Sequence, residues 1–117
     1  MKALGMIEVY SFTTAVVTAD ICAKAADVKI IAFDRNRPKS PDVPAPLVMP
    51  IKMAGPVAAV KSAVEAGVNY AKSEGKYIIH HIIPNPGEGV EKFAYLLDMN
   101  KDKYNKKLPK NFMEEEA

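Results

Sequence analysis

The residues of this chain that could do chemistry are few, and their spacing does not bring them together. His80 and His81 are its two histidines. Neighbours in an extended strand point to opposite faces, so one metal ion cannot readily take both rings. A structural role is expected, with one ring packed and the other exposed. Cys22 is the single cysteine. It lies between Ile21 and Ala23 on a helical pattern, with nothing nearby in sequence to lower a thiol pKa. A packed, inert thiol is expected. Glu8 and Glu65 could form an acid–base pair, but no second carboxylate, histidine or serine stands at a spacing that forces convergence. Gly87-Glu88-Gly89 precedes a helical segment as a phosphate cradle would. The wider glycine fingerprint and the lysine–serine pair are missing, so a turn is expected. Lys101, Lys103, Lys106, Lys107 and Lys110 surround Tyr104 and could attract nucleic acid. Glu114-Glu115-Glu116 counter them, and a solvated tail is the expectation. No catalytic residue, metal site or cofactor is predicted.

What must position these side chains is a small alternating fold. The chain has 117 residues, 49% of them apolar, enough for one domain with one core. Its net charge is +2, without the strong basic excess of a dedicated nucleic-acid binder. A lone cysteine forms no internal disulfide and fits a reducing cytoplasm. The first residues read as strand, not as a basic-then-apolar leader. No apolar run approaches the roughly 20 residues that span a bilayer. A cytoplasmic chain with no membrane and no nucleic-acid partner is expected.

Ala3–Tyr10 alternates apolar and small residues and reads as a first strand. Ser11 or Thr13 offers a capping hydroxyl for a helix over 14–26. In that helix Val16, Val17, Ala19, Ile21, Cys22 and Ala23 supply the apolar stripe. A second strand spans 28–34, with Ile30, Ile31 and Phe33 as a short buried run. Residues 35–46 hold four of the nine prolines and read as an extended, stiff loop. A third strand follows over 47–53, where Pro50 suggests an edge position or a bulge. Gly55-Pro56 opens a second helix whose face is Val57, Val60, Val64, Val68 and Ala71. Ala58, Ala59, Ala63 and Ala66 on that helix permit close approach, and Gly75 is placed to end it. Tyr77–Ile83 is a fourth strand, and a short third helix is expected over 89–97. The order βαββαβ, with that C-terminal helix, predicts a ferredoxin-like α/β (α+β) fold on one antiparallel sheet.

Four segments carry a family likeness. They are Ala3-Leu4-Gly5-Met6-Ile7-Glu8, Asp20-x-x-x-Lys24-Ala25-Ala26-Asp27-Val28, the helix that begins Gly55-Pro56-Val57-Ala58-Ala59-Val60, and Ile82-Ile83-Pro84-Asn85-Pro86. In this order the chain resembles a bacterial microcompartment shell protein of the single-domain, hexamer-forming type. The resemblance implies a shell domain over 1–98, and residues 99–117, lysine-rich and then acidic, read as a flexible tail. It implies a structural, non-enzymatic subunit: a flat cyclic homohexamer that tiles with itself and other shell proteins around encapsulated enzymes. It also implies a central pore lined by the loop between the second and third strands, here Arg35, Asn36, Arg37, Pro38, Lys39, Ser40 and Pro41. Lateral contact between hexamers would fall to Lys24, Asp27, Asn85 and Pro86.

This sequence departs from the family pattern in two places. The loop is longer than the usual glycine-containing turn and contains no glycine. Asp27 and Asn85 stand where the family commonly has asparagine and arginine, so a specialised shell component is expected. Some shell proteins of glycyl-radical-enzyme compartments hold an iron–sulfur cluster on a pore cysteine. Residues 35–46 contain no cysteine, and no cluster is expected. In a ring, Arg35, Arg37 and Lys39, with Asp34 and Asp42 beside them, would be repeated about one axis and favour anionic metabolites. The same element order also serves small-ligand-binding regulatory domains, a trimer with sites between subunits being one form, and that remains the alternative.

Overall fold

The computed structural model describes residues 3–34, 47–90 and 94. They form β1 (Ala3–Tyr10), α1 (Phe12–Ala25), β2 (Lys29–Phe33), β3 (Val48–Gly55), α2 (Val57–Ser73) and β4 (Tyr77–Ile83). The strands make one antiparallel sheet in the order β2-β3-β1-β4. This is the expected βαββαβ arrangement of two interleaved split units. The expected loop over 35–46, the tail over 99–117 and, apart from Gly89, Val90 and Ala94, the helix over 89–97 lie outside the described residues. Val90 and Ala94 are helical positions.

Alternation along the strands sorts the apolar residues onto two faces. Ile7, Val9, Met49, Ile51 and Met53 point to one face and pack with Ala15, Ala19 and Cys22 of α1 and Val60, Ala63, Val64, Val68 and Ala71 of α2. Leu4, Ile31, Ala32 and Ala94, with Met6, Ile83 and Val90, form a smaller cluster on the other face.

Capping chemistry sets the helix ends. Ser11 Oγ accepts from the Thr14 N–H at 3.2 Å, which fixes the start of α1. At the end of α2 the Gly75 N–H donates to the Lys72 carbonyl and the Lys76 N–H to the Ala71 carbonyl. That pair of bonds needs a left-handed residue between them, and Gly75 supplies it with φ of 66°. The helices touch at Gly67, where a Cβ would stand 2.5 Å from Cys22 Sγ and 2.8 Å from Ile7 Cδ1.

Three expectations are corrected. Pro50 is in a central strand, paired opposite Glu8 and flanked by β2, and the bulges lie elsewhere. Its carbonyl accepts from the Asp34 N–H. A strand residue's N–H and C=O point to the same side, so the missing proline donor faces the end of β2, not β1. The buried stripe of α1 is Thr14, Ala15, Thr18, Ala19 and Cys22, whereas Val16 is exposed and Val17 and Ile21 are half-buried. Close packing against α2 admits small side chains and turns the larger ones outward. Val57 is likewise exposed, because α2 begins there beyond the sheet end.

Candidate functional site

Strand register determines which candidate residues share an end of the molecule. Ala3 pairs with Gly55, Leu4 with Ile83 and Lys29 with Ala54. The turn from α1 into β2 and the segment after β4 therefore leave the same end of the sheet. Lys24, Asp27, Asn85 and Pro86 are at this end, although β3 and β1 separate the first two from the last two. The opposite end carries Tyr10, Val48 and Tyr77, with Asp34 and Leu47, the residues that flank 35–46. Eight strand residues at about 3.3 Å each put the two ends ~25 Å apart. Arg35, Asn36, Arg37, Pro38, Lys39, Ser40 and Pro41 lie outside the described residues.

Lys24 is in the last turn of α1, where a cation complements the helix dipole. Its ammonium meets the Asp20 carboxylate at 2.8 Å, one turn back. That hydrogen bond, then the charge of Asp20, raises the lysine pKa from its ordinary value. Both side chains are exposed, so the pair is labile and screened by salt. Asp27 and Asn85 are exposed and Pro86 is half-buried.

The other end holds a pair that sequence reading did not find. The Asp34 carboxylate meets Lys52 Nζ at 2.6 Å, with both side chains almost wholly buried. The sequence places Asp34 at the end of the second strand beside the loop charges and does not single out Lys52. Their meeting depends on a β-bulge. Ile30 pairs with Met53 and Ala32 with Lys52, which leaves Ile31 as the extra residue. The bulge turns Asp34 onto the face away from the helices, diagonal to Lys52.

A second bulge acts in β4. Glu8 pairs with Ile79 and Val9 with Tyr77, leaving Ile78 extra. Tyr77 and His80 thereby share a face, and Tyr77 Oη lies 2.7 Å from His80 Nδ1. Lys72 Nζ sits 5.1 Å from the Tyr77 ring centroid, within cation–π range. His80 and His81 do point to opposite faces, opposite Ile7 and Met6. Both are exposed, which corrects the expectation of one packed ring: β4 is an edge strand, and His80 has only the Tyr77 ring beside it among the described residues.

The remaining chemical candidates do not converge. Glu8 is on the sheet face away from the helices, whereas Glu65 is on the exposed side of α2. Cys22 is buried between the helices, and burial pushes its thiol up to about 11, so it stays protonated at neutral pH. Gly87-Glu88-Gly89 forms a turn in which the Val90 N–H donates to the Gly87 carbonyl. Among the described residues no group of three or more His, Cys, Asp or Glu could hold a metal ion. No helix of the described residues is long and apolar enough to cross a membrane.

Comparison with known proteins gives one consistent answer. Residues 3–86 match the BMC domain family. The bacterial microcompartment shell protein PduA of Citrobacter freundii is 35% identical over 91 residues, spanning 78% of this chain and 89% of that protein. The shell protein PduK of the same organism is 30% identical over 89 residues, spanning 76% of this chain and 53% of that one. A solved microcompartment protein from Desulfitobacterium hafniense DCB superposes with a TM-score of 0.65 at 29% identity, covering 79% of this chain and 48% of its own. The chain thus spans about half the length of PduK and of that solved structure.

Proposed function

The chain belongs to the BMC domain family, and from that premise we propose that it is a structural subunit of a bacterial microcompartment shell. The observation that carries this reading is the family match across 3–86, the same residues that build the sheet and both helices. It acts by assembly, as a homohexamer that meets other shell proteins at its edges and encloses enzymes in the cytoplasm. Residues 35–46 line the six-fold axis, with Arg35, Arg37 and Lys39 favouring anions. Lys24, Asp27, Asn85 and Pro86 meet the neighbouring hexamer.

Two features of the domain support that assignment. The flanks of 35–46 and the proposed edge residues leave opposite ends of one sheet, as a wedge in a disc requires. The domain also leaves Phe12 48%, Val16 43%, Val57 39% and Ile79 56% exposed. Closed cyclic symmetry covers such apolar surface without leaving an open end.

The test is the mass of the purified chain by native mass spectrometry, together with negative-stain images of the same sample. A hexameric mass with ring-shaped particles is expected. A species that stays monomeric or dimeric at high concentration would overturn the proposal.

A further inference from the structure

β2 is a short edge strand with one extra residue, so its pairing can be set against the register that lacks the bulge. In the observed one, Ala32 pairs with Lys52, and the Asp34 N–H donates to the Pro50 carbonyl at 3.0 Å. In the other, the Ile30–Met53 pairing continues without the bulge and Asp34 falls opposite Met49. Met49 is wholly buried on the helix face. The slipped register would thus drive a carboxylate into an apolar core, whereas the bulged one gives it the Lys52 ammonium at 2.6 Å.

A buried ion pair is a poor way to gain stability alone, because desolvation offsets most of its attraction and an apolar pair of similar volume often does as well. Its better-attested use is to choose one arrangement over another. We propose that Asp34 and Lys52 are a positioning pair that locks β2 in its bulged register. The pair thereby fixes the point and direction in which the chain leaves the sheet for residues 35–46. The consequence for the six-fold axis rests on the hexamer reading above; the register lock itself lies within one chain.

Hydrogen exchange of the full-length chain tests the lock, read peptide by peptide. Lys52→Met should speed exchange across 29–34 by about tenfold or more, with 3–10 and 77–83 little changed. Lys52→Arg keeps the cation and should exchange as wild type does. The decisive variant is Asp34→Leu with Lys52→Met, which removes both charges. Its Tm should return to within about 3 °C of wild type, while exchange across 29–34 stays fast. A pair that served stability alone would restore both. Wild-type exchange across 29–34 in the double variant, or an equal rise across all strands in Lys52→Met, would overturn the proposal. A non-hexameric wild type would sink the shell reading but leave this comparison decisive.

Discussion

The thiol of Cys22 is enclosed where α1 crosses α2, and its surroundings act on it in opposite senses. Burial raises its pKa to about 11, against backbone hydrogen bonds from Gly67 and Cys22 itself that favour the thiolate. A thiol in the unfolded chain titrates near its ordinary value of 9.0. Above that pH the unfolded state binds fewer protons than the native one, so stability falls as pH rises. The contribution of Cys22 is complete below about pH 9 and lost by about pH 11. Urea unfolding at pH 8 and pH 10.5 should show wild type losing roughly 1–3 kcal/mol more than Cys22→Ala. Equal losses would mean that the native thiol ionises as readily as the unfolded one. A packed thiol was legible in the sequence because Ile21, Cys22 and Ala23 sit on an apolar helical pattern. The exposure of both histidines was not, since nothing in Tyr77–Ile83 alone says that β4 lies at the sheet edge.

Elements were the most readable level of this chain, and their faces the least. Alternation, the Ser11 cap, the Gly55-Pro56 start and the Gly75 stop locate both helices and all four strands to within a few residues. Each of these signals is local, and each is a backbone requirement that few residues meet. Two pairings escape such signals because one extra residue reverses a face. Ile31 and Ile78 are ordinary strand formers, so their bulges leave no mark in the sequence, yet they decide the partners of Asp34 and His80. The α1 stripe was misread for a related reason: hydrophobicity favoured Val16 and Val17, whereas the contact with α2 selects for size. Gly67→Ala tests that contact directly. Alanine should strengthen an isolated helix by up to about 1 kcal/mol. Here its Cβ would collide with Cys22 Sγ and Ile7 Cδ1, and a net loss of about 1–3 kcal/mol in denaturant unfolding is expected. A net gain would mean that the two helices separate freely.

At the scale of the whole molecule, the proposed assembly has two kinds of contact, and they should fail separately. Ring closure buries apolar surface, and Phe12 and Val16, one turn apart on α1, are its most concentrated exposed source. Val16 lies outside both core clusters, so Val16→Glu should change the stability of the single chain by no more than about 0.5 kcal/mol. A charge placed in an apolar subunit contact must be desolvated without a partner, so the hexamer should dissociate. Light scattering after size exclusion would read the smaller mass. Lys24 is at the other end of α1, exposed, and paired with Asp20. Lys24→Ala should leave the ring mass unchanged and remove the extended sheets seen by negative stain. Raised salt should reproduce that loss for wild type, because an exposed charge contact weakens with ionic strength and an apolar one does not. If Lys24→Ala broke the ring, or Val16→Glu broke only the sheets, the two ends of α1 would have to exchange roles. The loop would then no longer face the axis.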